Sequence, residues 1–433
     1  MVDVEKIKLP MQVEFLLNRL HDNGYEAYVV GGCVRDIALG IKPHDYDICT
    51  SAKPEQIIEI FSDCTVVNTG IKHGTVTVIL NAETDELFKM FEITTYRIDG
   101  VYKDNRHPET VEYTTDLVQD LARRDFTINA MAYNYYDGFV DPFGGLKDLR
   151  NHIVRCVGKP EDRFNEDALR ILRGIRFAFR YGYDIDQETF FCMDSYRHLL
   201  KNISKERVCD EITKILSSRM FWSVRWPSAN PVFAFFVKVV NLLSPMPINV
   251  DKDELSVNLY DSGENLILRL ALLFRKTNVL EVLKTFRFSN EICFAVSATI
   301  HYGNIILERI ENDDIMSNDD LVHMARKLLC EIKNHDPDLI CQFAEILTGQ
   351  REVFKKQNIQ LLKYKIKQCK AKNDVYSLQY LALNGNDLLA EGYEGKEIGD
   401  ILSTLLNLVM YDRVKNTKED LLAATKKINL EWR

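Results

Sequence analysis

The spacing of apolar residues divides the chain into a mixed first half and a helical second half. In the first half, three- and four-residue spacing predicts helices, and short apolar runs bounded by glycine or polar residues predict strands. The predicted elements are a helix at 10–22, a strand at 28–30, a short helix, a strand carrying Asp45 and Asp47, a helix at 51–61 and strands at 65–68, 75–80 and 87–95. Beyond about residue 220 the pattern is almost wholly helical. The expected fold class is therefore α+β, with an N-terminal mixed β-sheet flanked by helices and an all-α remainder.

The composition is typical of an ordinary globular protein, with 46% hydrophobic and 27% charged residues. The most apolar segment, 231–243, is too short to cross a bilayer and carries Lys238, so it predicts a buried helix. The 10 cysteines include no C-x-x-C pair, which favours reduced thiols. The N-terminus has no signal-peptide core, so we expect a cytoplasmic protein that does not associate with a membrane.

The net charge of −9 argues mildly against a nucleic-acid partner, because phosphate binding needs positive charge. Lysines are nevertheless concentrated at 351–372, with Phe354, Tyr364 and Ile366 between them. Such a stretch is often only the solvent-facing side of a helix, but it also suits a phosphate backbone. The distribution of charge therefore leaves an RNA partner open.

Candidate chemistry begins in the stretch 28–50, where an apolar strand runs into a pair of glycines, Gly31 and Gly32. Glycines let backbone N–H groups come close to an anion. Further on, residues i and i+2 of a strand share a face, so Asp45 and Asp47 would point the same way. Two such carboxylates form an all-oxygen site suited to Mg²⁺. The stretch therefore predicts a site for a nucleoside triphosphate held through its metal.

Two later positions could complete such a site. Glu92, in the last predicted strand, could add a third carboxylate, although a solvent-facing strand residue is an equally good interpretation. Arg124 offers bidentate hydrogen bonds to phosphate, and Asp125 can accept one from a ribose hydroxyl. The charged start of a helix would explain this last pair equally well.

A row of arginines marks the segment 166–177. Apolar residues cluster on one face of the predicted helix, while Arg170, Arg173 and Arg176 lie on the other, with Asp167 at its margin. A row of this kind is commonly surface charge alone. Three positive charges beside one acid would repel one another unless an anion lay over them, which favours a bound nucleotide.

The order of these motifs along the chain resembles that of the class II polymerase-β-like nucleotidyltransferases. This branch contains the CCA-adding tRNA nucleotidyltransferases and the bacterial poly(A) polymerases. The resemblance rests on Gly-Gly-x-x-Arg-Asp at 31–36, Asp-x-Asp at 45–47, Arg-Arg-Asp at 123–125 and Glu-Asp-x-x-Arg at 166–170. It spans residues 25–215 strongly and 380–425 moderately.

The resemblance implies a role for each of these residues. Asp45 and Asp47 would bind Mg²⁺ and, with Glu92, act in catalysis. Asp167 and Arg170 would hydrogen-bond the edge of the incoming base, as a protein template. The full set of implied nucleotide-binding residues is Gly32, Arg35, Arg124, Asp125, Asp167, Arg170, Arg173 and Arg176. Glu206 and Arg207 resemble a pair that braces the selecting helix, which is a structural role.

The resemblance also implies the domain organisation. The expected domains are a catalytic head at 1–153, a nucleotide-selecting neck at 154–220, a helical body at 221–345 and a tRNA-binding tail at 346–433. The polar segment 98–122 resembles the flexible loop of complete CCA-adding enzymes, which favours addition of the terminal adenosine.

The implied activity is template-independent addition of C, C and A to the 3′ end of tRNA from CTP and ATP, with release of pyrophosphate. The expected partners are the two nucleotides and the acceptor end and outer part of tRNA. A poly(A) polymerase, a split-function enzyme that adds only A, and a non-catalytic RNA-binding protein remain alternatives. The pairs His21-Asp22 and His335-Asp336 suggest an HD hydrolase, but no metal-ligand set can be assembled around His301, His323 and His335, so we predict no such activity.

Overall fold

The structure is a computed structural model that describes residues 7–80, 90–100, 111–218, 230–311, 316–332, 335–349 and 352–431. Contacts within the chain divide it into two compact units, Met1–Ser244 and Pro245–Arg433. The finer division of the chain at 153, 220 and 345 stays a prediction.

The first unit contains all the described strands and ten of the described helices. The strands are β1 (Ala27–Val30), β2 (Asp47–Thr50), β3 (Thr65–Val67), β4 (Thr75–Ile79), β5 (Met90–Thr95), β6 (Arg97–Asp99), β7 (Val111–Tyr113), β8 (Ala132–Asn134), β9 (Gly138–Val140), β10 (Ile153–Val154) and β11 (Asp184–Ile185). The helices are α1 (Met11–Asp22), α2 (Gly32–Ala38), α3 (Pro54–Ile60), α4 (Leu117–Ala122), α5 (Gly145–Arg150), α6 (Pro160–Glu166), α7 (Leu169–Tyr181), α8 (Gln187–Tyr196), α9 (Lys205–Ser217) and α10 (Pro231–Leu243).

Within the described residues, seven strands form one mixed sheet in the order β3-β4-β5-β2-β1-β8-β9. Strands β2 and β5 run parallel, whereas the other neighbours are antiparallel. Val30 of β1 pairs with Asp47, and Ile48 pairs with Ile93 of β5. This register brings the end of β1, the start of β2 and Glu92 together at one place on the sheet. The predicted mixed sheet and α+β class are confirmed.

Burial explains why the local pattern folds in this way. All four residues of β1 are buried, as expected for the centre of a sheet covered on both faces. Helix α1 packs its apolar stripe against β1 and α3, and the buried residues of that stripe are Val13, Leu16, Leu17 and Leu20. Each such leucine contributes about 1.5–3 kcal/mol on burial. The packed sheet thereby supports the residues at the ends of its central strands.

The helices after the sheet pack around α7. Helices α6 and α7 are separated by Asp167, whose extended backbone (φ −146°, ψ 100°) interrupts the helical run. Helix α7 packs against α9, α6 and α10. The predicted buried helix at 231–243 is confirmed as α10, which Asn230 caps by accepting a hydrogen bond from the Val232 N–H at 2.8 Å. Its one lysine, Lys238, reaches out to Asp194 at 2.7 Å.

All the regular secondary structure described in the second unit is helical. Its helices are α11 (Lys252–Asp261), α12 (Leu266–Phe274), α13 (Val279–Thr285), α14 (Asn290–Glu311), α15 (Asn318–Ile332), α16 (Pro337–Thr348), α17 (Val353–Ala371), α18 (Gly385–Ala390), α19 (Lys396–Met410) and α20 (Lys418–Glu431). One apolar cluster lies among α14 to α17 and a second among α18 to α20. Arg326 of α15 pairs with Asp374 and Asp412 at 3.0 and 2.9 Å, which ties the two clusters together. Among the helices described, none combines the length and apolar character needed to span a lipid bilayer.

Candidate nucleotide and metal site

Asp45 and Asp47 lie where β2 begins. We expected both in the strand, but β2 starts at Asp47 and Asp45 precedes it. Both residues are exposed, while Tyr46 between them is buried. The in–out alternation thus extends two residues beyond the strand and puts both carboxylates on the open side, as the spacing predicted.

Glu92 lies close to this position on the neighbouring strand β5. The parallel register of β2 and β5 sets it beside Asp47. Although the side chain of Asp47 is partly exposed to solvent, desolvation by the surrounding protein raises its pKa to about 6. The negative charge of Asp45 adds to this rise, Arg124 opposes it, and Glu92 contributes a smaller increase. The three carboxylates therefore share one electrostatic environment, and a cation there would relieve their repulsion.

A metal at this place would rest on two protein ligands. Nowhere in the part of the chain that the structure describes do three or more His, Cys, Asp or Glu side chains form a group able to hold a metal ion. The candidate metal site is accordingly the pair Asp45 and Asp47, with Glu92 nearby and outside a ligand set. An all-oxygen pair of this kind leaves positions for water and phosphate oxygens, as magnesium sites in nucleotide enzymes do.

The glycine pair forms the turn between β1 and α2. Gly31 has φ +75°, a conformation that residues with a side chain rarely adopt, and its N–H donates to the Met131 carbonyl at 3.2 Å. A Cβ on Gly31 would also lie 2.8 Å from Nη1 of Arg124. The backbone conformation therefore requires glycine here, and a Cβ would also displace the guanidinium of Arg124. Gly32 is the first residue of α2.

Arg124 lies against this turn and acts electrostatically on Asp47. Its Nη2 lies 3.4 Å from the fully buried carboxylate of Asp120, which Arg123 approaches more closely at 2.8 Å. The buried Nε of Arg124 has no hydrogen-bond partner among the residues described. A donor without a partner beside the candidate metal-binding carboxylates suits a phosphate oxygen.

Arg35, also predicted to bind the nucleotide, is already enclosed by protein. It is 5% exposed, and its guanidinium forms an ion pair with Asp36 at 2.8 Å and donates to Oδ1 of Asn129 at 2.5 Å. The rings of Phe177 and Tyr181 lie 5.2 and 5.1 Å from its Cζ. These contacts assign Arg35 a part in joining α2 to α7, and its direct contact with phosphate stays a prediction.

Asp125 is likewise part of an internal network. Its carboxylate accepts hydrogen bonds from the Asn129 amide at 3.0 Å and from the Phe126 N–H at 2.8 Å, and it pairs with Arg173 at 2.7 Å. Burial by itself would raise the pKa of Asp125, but Arg173, Asn129 and Arg170 together hold it well below its usual range. Asp125 is therefore ionised at neutral pH, and it connects the segment after α4 to α7.

Arg170, Arg173 and Arg176 of α7 do not need a nucleotide for charge balance, and this part of our interpretation was wrong. Each has a carboxylate partner from elsewhere in the chain or from the preceding helix. The pairs are Arg170 with Glu166 at 2.5 Å, Arg173 with Asp125 at 2.7 Å and Arg176 with Glu211 at 2.7 Å. Counting only the acid next to the arginines in the sequence overlooks these partners, because Asp125 and Glu211 are distant in sequence. The contact of these arginines with nucleotide stays a prediction.

Asp167 and Arg170 are near neighbours, but each is bonded to another side chain. Asp167 receives two hydrogen bonds from the Arg207 guanidinium, at 3.2 and 2.8 Å. Arg170 pairs with Glu166 and donates to the carbonyl of Arg123 at 3.0 Å. Arg207, which the sequence suggested only as a brace, is therefore the direct partner of the carboxylate expected to select the base. No spacing in the sequence signals this contact.

The segment 98–122 is only partly described. Strands β6 and β7 pair antiparallel, and α4 follows with Asp116 as its cap, accepting from the Val118 N–H at 2.8 Å. Residues 101–110, at the centre of the loop expected to support adenosine addition, lie outside the described residues.

Three segments of the chain match known domain families. Residues 27–155 match the poly A polymerase head domain, 182–223 the probable RNA and SrmB-binding site of polymerase A, and 259–425 a putative tRNA nucleotidyltransferase domain 2. The chain is also 31% identical over 423 residues to a CCA-adding enzyme of Ligilactobacillus salivarius, with 95% of each protein covered. The chain belongs to the CCA-adding enzyme family. The family predicted from the motifs is thereby confirmed, and with it the assignment to the nucleotidyltransferases.

Other relatives agree over nearly the whole length. A CCA-adding enzyme of Lactococcus lactis is 32% identical over 431 residues, covering 97% of this chain and 98% of the relative. The crystal structure of a Bacillus stearothermophilus CCA-adding enzyme in complex with CTP matches with a TM-score of 0.72 at 26% identity, covering 98% of this chain and 99% of that one. Membership of the CCA-adding enzyme family thus extends through both compact units.

Proposed function

We propose that this chain adds C, C and A to the 3′ end of tRNA, using CTP and ATP and releasing pyrophosphate. The observation that carries the proposal is the grouping of Asp45, Asp47 and Glu92 beside the Gly31 turn and Arg124. Metal-binding carboxylates, a close backbone approach and a free buried donor are the parts that nucleotidyl transfer needs. The CCA-adding family supplies the expected acceptor, and a solved relative is in complex with CTP. Action on tRNA would place the enzyme in the cytoplasm.

The metal is proposed to be Mg²⁺, held by Asp45 and Asp47. The fit is supported by the raised pKa of Asp47, since this rise partly reflects repulsion from Asp45 that a bound cation would remove. When bound, Mg²⁺ would lower the pKa of the primer 3′-hydroxyl and neutralise charge on the departing pyrophosphate. Glu92 is placed to add negative potential at the metal pair.

The other residues of the head would position the triphosphate. Arg124 would turn its free Nε–H and its positive charge towards phosphate oxygens, and the Gly31 turn would let the chain pass close to them. Gly32 follows directly, so the start of α2 lies at the same place. The rate would come from positioning and charge stabilisation, and no covalent enzyme intermediate is expected.

Base selection is proposed for Asp167 and Arg170, with Arg207 as a third member of the set. A carboxylate can accept from the cytosine N4 amino group while a guanidinium donates to N3 and O2, and adenine needs a shifted arrangement of the same groups. Because Asp167 is bonded to Arg207 and Arg170 to Glu166, a nucleotide would have to share or replace these bonds. The arrangement supports selection by exchange of hydrogen-bond partners.

The tRNA is proposed to lie on the basic surface of the second unit. On α17 the aromatic residues Phe354 and Tyr364 are 63% and 55% exposed among lysines, and Lys365 lies 5.9 Å from the Tyr364 ring centre. Exposed aromatic and cationic groups together suit the backbone and bases of RNA. The basic stretch at 351–372 is therefore offered as the contact for the outer part of tRNA.

One assay tests the proposed function. The purified chain is given tRNA that lacks its terminal CCA, together with Mg²⁺ and CTP, ATP or both, and the products are sized on a sequencing gel. Addition of two nucleotides with CTP alone and three with both supports the proposal. A long A tract would instead identify a poly(A) polymerase, one added A on tRNA ending in CC alone a split-function enzyme, and no extension a non-catalytic RNA-binding protein.

A further inference from the structure

The guanidinium of Arg35 joins two parts of the candidate site that are far apart in sequence. Arg35 lies on α2, which starts directly after the Gly31 turn. The rings beside it, Phe177 and Tyr181, lie on α7, nearly parallel at 14° with centres 6.4 Å apart. A buried guanidinium next to two aromatic rings is held more firmly than an exposed one, because little water competes for it.

A hydrogen bond reinforces this contact. The hydroxyl of Tyr181 donates to Oδ1 of Asp36 at 3.1 Å, and the same oxygen accepts from Nε of Arg35 at 2.9 Å. Asp36 is 8% exposed, so its carboxylate depends on these two donors more than a surface acid would. Tyr181 is thus the point at which the last turn of α7 is fixed to α2.

A second path runs in parallel to the first. Arg35 donates to Asn129, the Asn129 amide donates to Asp125, and Asp125 pairs with Arg173 in the middle of α7. Helix α7 is therefore tied to the glycine turn through two points along its length. The arginine face of α7 and the metal carboxylates lie within the same compact unit.

We propose that Tyr181, acting through Asp36 and Arg35, is a positioning residue that sets both the rate of nucleotide addition and the selectivity for the base. The proposal rests on the proposed function. If α7 selects the base while the Gly31 turn and Asp47 hold the triphosphate, one nucleotide contacts both parts of the site. Its reacting phosphate is then aligned only while α7 keeps its position relative to the Gly31 turn. A small loss of register misplaces the phosphate and weakens base discrimination together.

The test compares Tyr181→Phe and Tyr181→Leu with a control, Tyr28→Phe. The first variant removes only the hydrogen bond to Asp36, and the second also removes the ring beside Arg35. Tyr28 is a buried tyrosine of β1 whose hydroxyl donates to Asp137 at 2.6 Å, so the control loses the same kind of bond elsewhere in the head. For each protein, kcat and KM for CTP, misincorporation of UTP and the unfolding temperature are measured.

We expect kcat to fall about threefold in Tyr181→Phe and about 10- to 100-fold in Tyr181→Leu, with smaller changes in KM, because misalignment acts mainly on the reacting step. The ratio of CTP to UTP incorporation should fall in the same order. Tyr28→Phe should keep the kcat and the CTP-to-UTP ratio of the unchanged protein, even if its unfolding temperature falls as much as that of Tyr181→Phe.

Wild-type kcat and selectivity in Tyr181→Leu would overturn the proposal, as would equal losses in Tyr28→Phe. If Tyr181→Leu does not fold, Tyr181→Phe decides, since it keeps the ring and the packing. Failure of the unchanged protein to extend tRNA would refute the proposed function instead, so the two failures are distinguishable.

Discussion

Replacing Arg176 by Met tests whether the arginines of α7 are held by acids of the protein itself. Arg176 donates through Nε to Glu211 at 2.7 Å, and the two side chains are 12% and 4% exposed. Loss of one partner from a buried pair costs about 3–5 kcal/mol, because the other charge is left without water or a counterion. Lys214 lies 3.6 Å from Glu211 and offsets part of this, so we expect a loss of about 2–4 kcal/mol.

The double variant Arg176→Met/Glu211→Met separates the cost of an orphaned charge from the value of the pair. Burial lowers the pKa of Arg176 against the opposing effect of Glu211, as expected for a guanidinium that loses part of its hydration. Replacing a buried ion pair by apolar residues of similar size is often neutral or stabilising. The double variant should therefore be at least as stable as Arg176→Met, and close to the unchanged protein.

Thermal unfolding gives a direct measurement. For a unit of this size, 1 kcal/mol shifts the midpoint by about 2–4 °C, so Arg176→Met should unfold roughly 4–16 °C lower. Arg180→Met is the matched control, because Arg180 is on the same helix but exposed, and its contact with the Tyr181 ring is worth about 0.5–1 kcal/mol. A midpoint for Arg176→Met within the range of Arg180→Met would refute the structural pairing and restore the idea that a nucleotide must balance these charges.

Three further predictions concern the site itself. Asp47→Asn should abolish nucleotide incorporation while leaving the unfolding temperature unchanged or raised, because it removes a carboxylate that burial desolvates and Asp45 repels. Since the pKa of Asp47 is raised to about 6 in the folded protein from about 4 in the unfolded chain, its contribution to stability falls as pH rises from about 4 to 6. The difference in unfolding midpoint between Asp47→Asn and the unchanged protein should grow as the pH rises from about 4 to 6. A difference that stays constant with pH would contradict the raised pKa of Asp47. Gly31→Ala should lose activity and about 1–3 kcal/mol of stability in a denaturant titration, given its φ of +75°. Arg207→Met should change the ratio of CTP to ATP addition by more than it changes addition overall, measured with tRNA primers ending before C and before A.

The parts of the site that sequence could predict are those made by neighbouring residues. Asp45 and Asp47 share a side because alternation over two residues is a local property, and Gly31 turns the chain because its own backbone conformation demands glycine. Glu92 required a pairing register between β2 and β5, which the sequence does not encode locally, and the spacing left its role open. The fold class followed in the same way from periodicity within each element.

Contacts between distant residues explain what the sequence missed. The row of arginines on α7 was compared only with the single acid beside it, yet Glu211 comes from α9 and Asp125 from the segment between α4 and β8. Arg207 is 40 residues from Asp167, and no periodicity connects them. Charge counts along one helix therefore say little about charge balance once other helices pack against it.

The paired state of Asp167 and Arg170, the residues proposed to select the base, changes how discrimination can be understood. If Asp167 and Arg170 were free, a base would gain their full hydrogen-bond energy and every base able to form two bonds would bind well. Because Arg207 and Glu166 already hold them, a base gains only the difference between its own bonds and those it replaces. A base with the wrong donors leaves a partly buried charge without its former partner, which is a penalty rather than a smaller gain. If Asp167 and Arg170 select the base as proposed, internal pairing makes selection depend on rejection of wrong bases, and Arg207 then acts with the pair that it was expected only to brace.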